Sequence, residues 1–226
     1  MRCFSHSRHS TVKKSPSSKQ WLRRHVNDPY VQRSKREGYR SRSAYKLIEI
    51  DERDRILKRG MTIVDLGAAP GGWSQVAAKR VGPAGKVVAI DLLEMEPIPG
   101  VAFVQADFTS RKGLEALERA LEGRAVDMVL SDMAPNLSGI AISDQARSMS
   151  LAEAARDFAL LHLKRPGVLL VKLFQGAGYD DYLKSLRGAF EKVVVRKPAA
   201  SRDESAEQYV LARGLREGAK SSPEGS

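Results

Sequence analysis

Twelve residues, Ile63-Val-Asp-Leu-Gly-Ala-Ala-Pro-Gly-Gly-Trp-Ser74, constrain this chain more than any other stretch. They open as an apolar strand, break on glycines and resume as a helix at about Trp73. An α/β protein builds its ligand site at such a turn, beyond the carboxyl end of a parallel strand. Gly67, Gly71 and Gly72 let the backbone bend sharply and approach a ligand closely, and the helix start offers unpaired N–H groups. The spacing Gly67-x-x-x-Gly71-Gly72 is not the G-x-G-x-x-G of a dinucleotide site, and the Gly-Lys-Ser/Thr of a Walker A loop is absent. Asp65, two residues before the first glycine, would repel a pyrophosphate and suits a ligand with an ammonium or sulfonium charge. S-adenosylmethionine (SAM) carries both. Val87-Val-Ala-Ile-Asp91 is a second strand ending in an acid, where a carboxylate can hold ribose hydroxyls. An ordinary βα turn is the competing reading.

Length and composition narrow the class. A chain of 226 residues with 42% hydrophobic content has room for one domain with a substantial core. No stretch is long enough to span a membrane. The single cysteine, Cys3, excludes an internal disulfide framework and fits a reducing, cytoplasmic setting. His6, His9, His25 and His162 lack metal-site spacing, so no metal site is expected. The charge is unevenly placed. Residues 1–46 carry 13 of the 38 Lys/Arg and 2 of the 27 Asp/Glu, while the remaining 180 residues carry 25 of each. The whole net charge of +11 therefore sits in the N-terminal fifth. A basic arm on a neutral domain reads as a grip on a polyanion, most simply nucleic acid. A solubilising tail and a transit peptide are the alternatives, the segment being rich in Arg and Ser with no acid before Asp28.

Along the chain, residues 1–20 read as a disordered basic tail, 21–213 as a single domain with a basic extension over 21–50, and 214–226 as a polar tail. The extension mixes Trp21, Tyr30 and Tyr39 with Arg23, Arg24, Arg33, Lys35, Arg36, Arg40 and Arg42. The basic groups are candidates for phosphate contacts; the aromatics either stack on bases or dock the arm on the domain. Ser41 to Asp51 reads as a helix capped by Ser41 or Ser43, with Ala44, Leu47 and Ile48 on its apolar face and Lys46 beside it. Strands are expected at about 62–67, 86–91, 101–105, 126–131, 167–173, 190–197 and 207–213, and further helices at about 73–80, 112–122, 145–164 and 179–187. The early strands are continuous apolar runs, as when both faces of a sheet are covered. No helix separates the last two strands, which predicts an antiparallel pair. No heptad seam is visible, and a monomer is expected.

Several predicted strands deliver a polar residue to one rim. Asp107 follows the third strand, placed to accept from an adenine amino group, and Asp132 follows the fourth. Lys172 interrupts the apolar run Leu169-Leu-Val-Lys-Leu-Phe174, and a lysine is rarely buried without a partner. It is either a functional lysine on a central strand or a snorkelling one on an edge. Glu207 opens the last strand.

Five segments then carry a resemblance: Ser41-Arg-Ser-Ala-Tyr-Lys46, Val64-Asp-Leu-Gly-Ala-Ala-Pro-Gly-Gly-Trp-Ser74, Ser131-Asp-Met-Ala-Pro-Asn136, Val171-Lys-Leu-Phe-Gln-Gly176 and Glu207-Gln-Tyr209. In this order, over residues 20–213, the chain resembles the FtsJ/RrmJ family of SAM-dependent ribosomal RNA 2′-O-ribose methyltransferases. The resemblance implies a Rossmann-like class I methyltransferase fold: α/β, with a seven-stranded, mostly parallel sheet, an antiparallel final strand and helices on both faces. It places the family's Lys-Asp-Lys-Glu tetrad on Lys46, Asp132, Lys172 and Glu207. It implies SAM contacts from Gly71, Trp73, Asp91, Asp107 and Asp132, beside the Asp65 and Gly67 already singled out. The implied substrate is a uridine ribose in large-subunit (23S-type) rRNA, within the ribosomal subunit. Residues 1–18 are longer and more basic than the bacterial pattern needs.

The chemistry fits these groups. A ribose hydroxyl is a poor nucleophile until it loses its proton, and methyl transfer needs an in-line approach. Lys172 is the candidate base. An ordinary lysine is protonated near neutrality, so its surroundings must prepare it for that role. Lys46 is placed to orient the hydroxyl, Asp132 to bridge SAM and Lys172, and Glu207 to pair with a lysine. Three alternatives stand beside this reading: a 2′-O-methyltransferase of tRNA or an mRNA cap, a small-molecule methyltransferase, and an RNA-binding ribosome-assembly factor without catalysis.

Overall fold

A computed structural model of the protein describes residues 28–135, 138–202 and 205–219. The expectations placed on the basic tail, Trp21, Arg23, Arg24, Asn136 and residues 220–226 lie outside the described residues. Two helices come first, α1 (Pro29–Glu37) and α2 (Ala44–Asp54). Strands and helices then alternate: β1 (Thr62–Leu66), α3 (Gly72–Val81), β2 (Lys86–Asp91), β3 (Val101–Gln105), α4 (Arg111–Leu121), β4 (Val126–Ser131), α5 (Ala141–His162), β5 (Leu163–Phe174), α6 (Tyr179–Ala189), β6 (Phe190–Arg196) and β7 (Glu207–Leu215). The strands form one seven-stranded sheet in the order β3-β2-β1-β4-β5-β7-β6. Pairing is parallel from β3 to β5, and β7 lies antiparallel between β5 and β6. The expected fold class and the antiparallel last pair are both observed.

Alternation along the strands explains the layers, because successive side chains face opposite sides of a sheet. Val64, Val88, Val129, Leu169, Val171 and Val210 share one core with α4, α5 and α6. Ile63, Val87, Met128, Leu130, Val168, Leu170 and Leu211 share the other with α2 and α3. Both faces are covered, which is why these strands read as unbroken apolar runs.

The elements differ from expectation in three places. α1 was not anticipated, although its signals are ordinary. Asp28 caps it by accepting from the Tyr30 and Val31 N–H groups, Pro29 opens it, and Gly38 closes it in a left-handed conformation. Second, neither serine caps α2 by its side chain; the Ser41 and Ser43 hydroxyls bond each other at 2.7 Å. The helix starts instead on a tight turn, with the Ala44, Tyr45 and Lys46 N–H groups donating three residues back. Third, the late boundaries move: α5 spans Ala141–His162 rather than about 145–164, β5 begins at Leu163, which pairs with Val126, rather than at about 167, and β7 runs on to Leu215, into the expected polar tail. At its far end α2 is clamped by Asp54, whose carboxylate accepts both arms of the Arg196 guanidinium at 2.7 Å. That contact holds the Asp54 carboxyl below its usual range. Among the described residues no helix is long and apolar enough to cross a membrane, and no His/Cys/Asp/Glu cluster could hold a metal ion.

Candidate active site

The strand alternation that builds the core also assembles the site. Asp132 continues the Met128, Leu130 side of β4, Lys172 the Val168, Leu170 side of β5, and Glu207 and Tyr209 the Leu211 side of β7. All therefore face α2, which supplies Lys46. Because β7 is antiparallel, its first residue meets the last residues of β5; Phe174 pairs with Glu207 and Lys172 with Tyr209. The four expected tetrad members come together. Lys172 Nζ lies 3.0 Å from Asp132 Oδ1 and 3.9 Å from Glu207 Oε2, and donates to the Asp132 main-chain oxygen at 3.2 Å. Lys46 Nζ lies 2.6 Å from Glu207 Oε1. The four side chains are only 9–15% exposed, so each charge is balanced by a neighbour rather than by water. Lys172 sits on a strand with neighbours on both sides, not on an edge.

Tyr209 is a fifth member that sequence reasoning quoted but gave no role. Its hydroxyl donates to Asp132 Oδ1 at 2.6 Å, the same oxygen that faces Lys172. Burial, with the Asp132 and Glu207 charges, pushes the Tyr209 hydroxyl well above its usual range and keeps it a donor.

On the far side of Asp132 a cleft of about 520 Å³ opens along the ends of β1, β2 and β4. Gly67, Asp91, Asp107 and Asp132 line it, joined by the apolar Leu92, Leu93, Phe108 and Met133. Its size and mixed lining are those of a small-molecule site. Gly67 has φ +71°, and a Cβ there would meet Met133 Cγ at 2.2 Å. Asp91 accepts from the Ala69 N–H of the glycine turn and the Leu93 N–H of its own loop, and Asp107 from the Thr109 N–H and hydroxyl, so both carboxylates are held in place.

Asp65, Gly71 and Trp73 do not line this cleft. Asp65 faces α3 rather than the rim. It is buried and accepts from the Ser74 hydroxyl at 2.6 Å. Burial first, then the Asp132 and Asp91 charges, push its carboxyl up to about 7 against the Ser74 hydrogen bonds. The Trp73 indole points the other way, donating to the Ser43 carbonyl at 2.8 Å and packing on Tyr209 at 5.6 Å. It wedges the start of α2 against β7 and so helps to place Lys46. Gly71, at φ +106°, lies under Ile98, Met95 and Arg40, where a Cβ would clash.

The residues expected to grip RNA divide. Lys35 and Arg36 are exposed on α1. Arg33 pairs with Glu37 at 2.8 Å and lies over the Tyr45 ring. Tyr30 donates to Glu49 and packs on Tyr45, and Tyr39 packs edge-on against the same ring, so these aromatics dock the segment on the domain. Arg42 bonds Asp28 and the Ala200 carbonyl. Arg40 is spent on the protein: its guanidinium donates to the carbonyls of Pro70 (3.3 Å), Glu96 (2.5 Å) and Pro97 (2.8 Å). It ties the glycine turn to the loop after β2. Arg40→Ala is therefore expected to weaken binding of the small-molecule ligand about tenfold or more, as lost charge-assisted bonds do. The salt dependence of RNA binding should stay unchanged. Calorimetric titration and a salt series check this; a shallower salt slope would instead make Arg40 a phosphate contact.

Comparison with known proteins gives the family. The FtsJ-like methyltransferase family model matches residues 39–215. The chain is 56% identical over 205 residues to ribosomal RNA large subunit methyltransferase E of Dechloromonas aromatica, covering 91% of this chain and 100% of that protein. It is 58% identical over 205 residues to the protein of the same name from Azoarcus sp., with the same coverage. A crystal structure described as a ribosomal RNA methyltransferase of Plasmodium falciparum superposes with a TM-score of 0.69 at 31% identity, covering 78% of this chain and 98% of that one. A Clostridium thermocellum structure at 15% identity, with a TM-score of 0.51, shares the fold. With the match spanning the cleft, the tetrad and every strand of the sheet, the chain belongs to the FtsJ-like methyltransferases.

Proposed function

We propose that this protein transfers a methyl group from SAM to a ribose 2′-hydroxyl of large-subunit ribosomal RNA, a uridine within the ribosomal subunit. The observation that carries the reading is the position of the tetrad. It forms the wall between the cleft, lined by Asp132, and a separate cationic cavity, lined by Lys46 and Glu207. A methyl donor on one side and an RNA ribose on the other would meet at Lys172. Relatives named for large-subunit rRNA methylation support the substrate class.

The residues present fit SAM. Asp91 suits ribose hydroxyls and Asp107 an adenine amino group. Leu92, Leu93 and Phe108 give an apolar bed for a base, and Gly67 lets Met133 pack against the turn at the cleft wall. When bound, SAM supplies a methyl on a cationic sulfur. The protein's own groups do the rest. Lys172 Nζ, as the free amine, takes the 2′-hydroxyl proton and becomes the ammonium that Asp132 and Glu207 hold. Asp132 holds Lys172 and turns the negative side of the tetrad toward the donor. Glu207 holds Lys46 beside the hydroxyl, and Tyr209 fixes the Asp132 rotamer. We read residues 21–213, together with the last two residues of β7 as far as Leu215, as one methyltransferase domain whose N-terminal basic extension adds to RNA binding.

The test is which RNA accepts label. Methyl-labelled SAM should mark large subunits and leave tRNA and capped mRNA unmarked. Label on tRNA or cap alone would move the protein to the related 2′-O-methyltransferases. Donor binding without transfer to any RNA would refute the catalytic reading.

A further inference from the structure

The cationic cavity beside the tetrad has a composition that names its occupant. It measures about 360 Å³ and is lined by Arg42, Lys46, Arg202, Ser205 and Glu207. Arg42 comes from the turn just before α2 and Lys46 from its first turn, and Arg202 and Ser205 come from the connection between β6 and β7. Among the described residues, every lining residue is polar or charged. A nucleobase calls for an aromatic or apolar platform, and the described lining offers none.

The charges leave an excess of one positive among the described residues. Glu207 is engaged by Lys46 at 2.6 Å. Asp28 bonds Arg42 and stands 4.0 Å from Arg202 Nε. Three cations thus face two anions. The Arg42 guanidinium is fixed at the cavity wall by Asp28 and the Ala200 carbonyl, while Arg202, 44% exposed, is the freer of the two. Guanidinium groups match phosphate oxygens in pairs.

We propose that this cavity receives one RNA backbone phosphate, the phosphodiester on the 3′ side of the methylated ribose, held by Arg202 with Arg42. The proposal rests on the 2′-O-methylation reading. It follows from the shared wall: the 2′-hydroxyl and the 3′-phosphate stand on adjacent ribose carbons, as Lys46 and Glu207 belong at once to the cavity and to the tetrad. The target ribose is then positioned by its backbone, and phosphate contacts position without reading sequence.

Arg202 is half exposed, so its removal spares the core. The test compares wild type, Arg202→Ala and the remote, exposed Arg111→Ala on large subunits with labelled SAM across a salt series. Arg202→Ala should raise KM for the subunit about tenfold and lower the salt slope by about one, the signature of one lost phosphate contact, while kcat and donor affinity hold. Arg111→Ala should match wild type. Uridine 3′-monophosphate should inhibit wild type more strongly than uridine or uridine 5′-monophosphate, and that difference should vanish in Arg202→Ala. An unchanged KM and slope in Arg202→Ala, or equal inhibition by the three compounds, would overturn the phosphate site. Wild-type protein that labels no RNA would overturn the activity itself, and is seen before any variant is compared.

Discussion

Replacing Lys172 with arginine is expected to cut turnover by about 10²–10⁴-fold, the usual contribution of a general base, with the fold and both binding steps retained. Arginine keeps the positive charge between Asp132 and Glu207, which lie 3.0 and 3.9 Å from Lys172 Nζ. It does not give up its proton in a protein, so it pairs with the carboxylates but cannot accept from a hydroxyl. Alanine should be equally inactive and less stable, by about 3–5 kcal/mol if Asp132 is left without its cation. Single-turnover transfer from labelled donor, with donor binding and urea unfolding measured on the same samples, separates the two effects. An arginine variant that turns over within a few-fold of wild type would show that Lys172 acts through its charge alone.

Asp65→Asn should stabilise the fold at pH 8 by a few kcal/mol and change it little near pH 4. Asp65 is buried beneath α3, and its carboxyl is pushed up to about 7. In the unfolded chain an aspartate titrates near about 3.9. Between these values the folded state holds a proton that the unfolded state releases. Stability therefore falls as pH rises from about 4 to about 7, and stays lower above that. Asparagine cannot ionise and keeps an oxygen for the Ser74 hydroxyl, which now donates at 2.6 Å. Urea unfolding of both proteins at pH 4, 6 and 8 should show a gap that opens with pH. A constant gap would mean that Asp65 ionisation is not coupled to folding.

Much of this was legible because the chemistry sits at strand ends. The run from Ile63 to Ser74 marks a strand, a turn and a helix, and the apolar strands announce a sheet covered on both faces. Lys172 stood out because an apolar run does not tolerate an unpartnered lysine. What stayed hidden depends on register and on long-range contacts. The Tyr209 bond to Asp132 needs the pairing of Lys172 with Tyr209, which no local pattern specifies. Asp65 was read as facing a ligand because it ends a strand, yet its place on the Ile63 side of β1 turns it under α3 toward Ser74. Arg40 looks like any other arginine of a basic segment, and only the folded chain shows its guanidinium on three carbonyls. α1 was missed for a different reason. Its cap, proline and terminal glycine are all present, but its dense basic and aromatic residues carry the same pattern as a binding arm.

The central claim is that Lys172 and its partners act on a ribose hydroxyl. The most direct measurement is to methylate large ribosomal subunits with labelled SAM, digest the RNA and locate the label within the nucleotide. The account predicts label on a single ribose 2′-oxygen, which blocks alkaline cleavage at the adjoining phosphodiester. Label on a base would contradict it, because a tetrad built to deprotonate a hydroxyl would then have no part in the reaction.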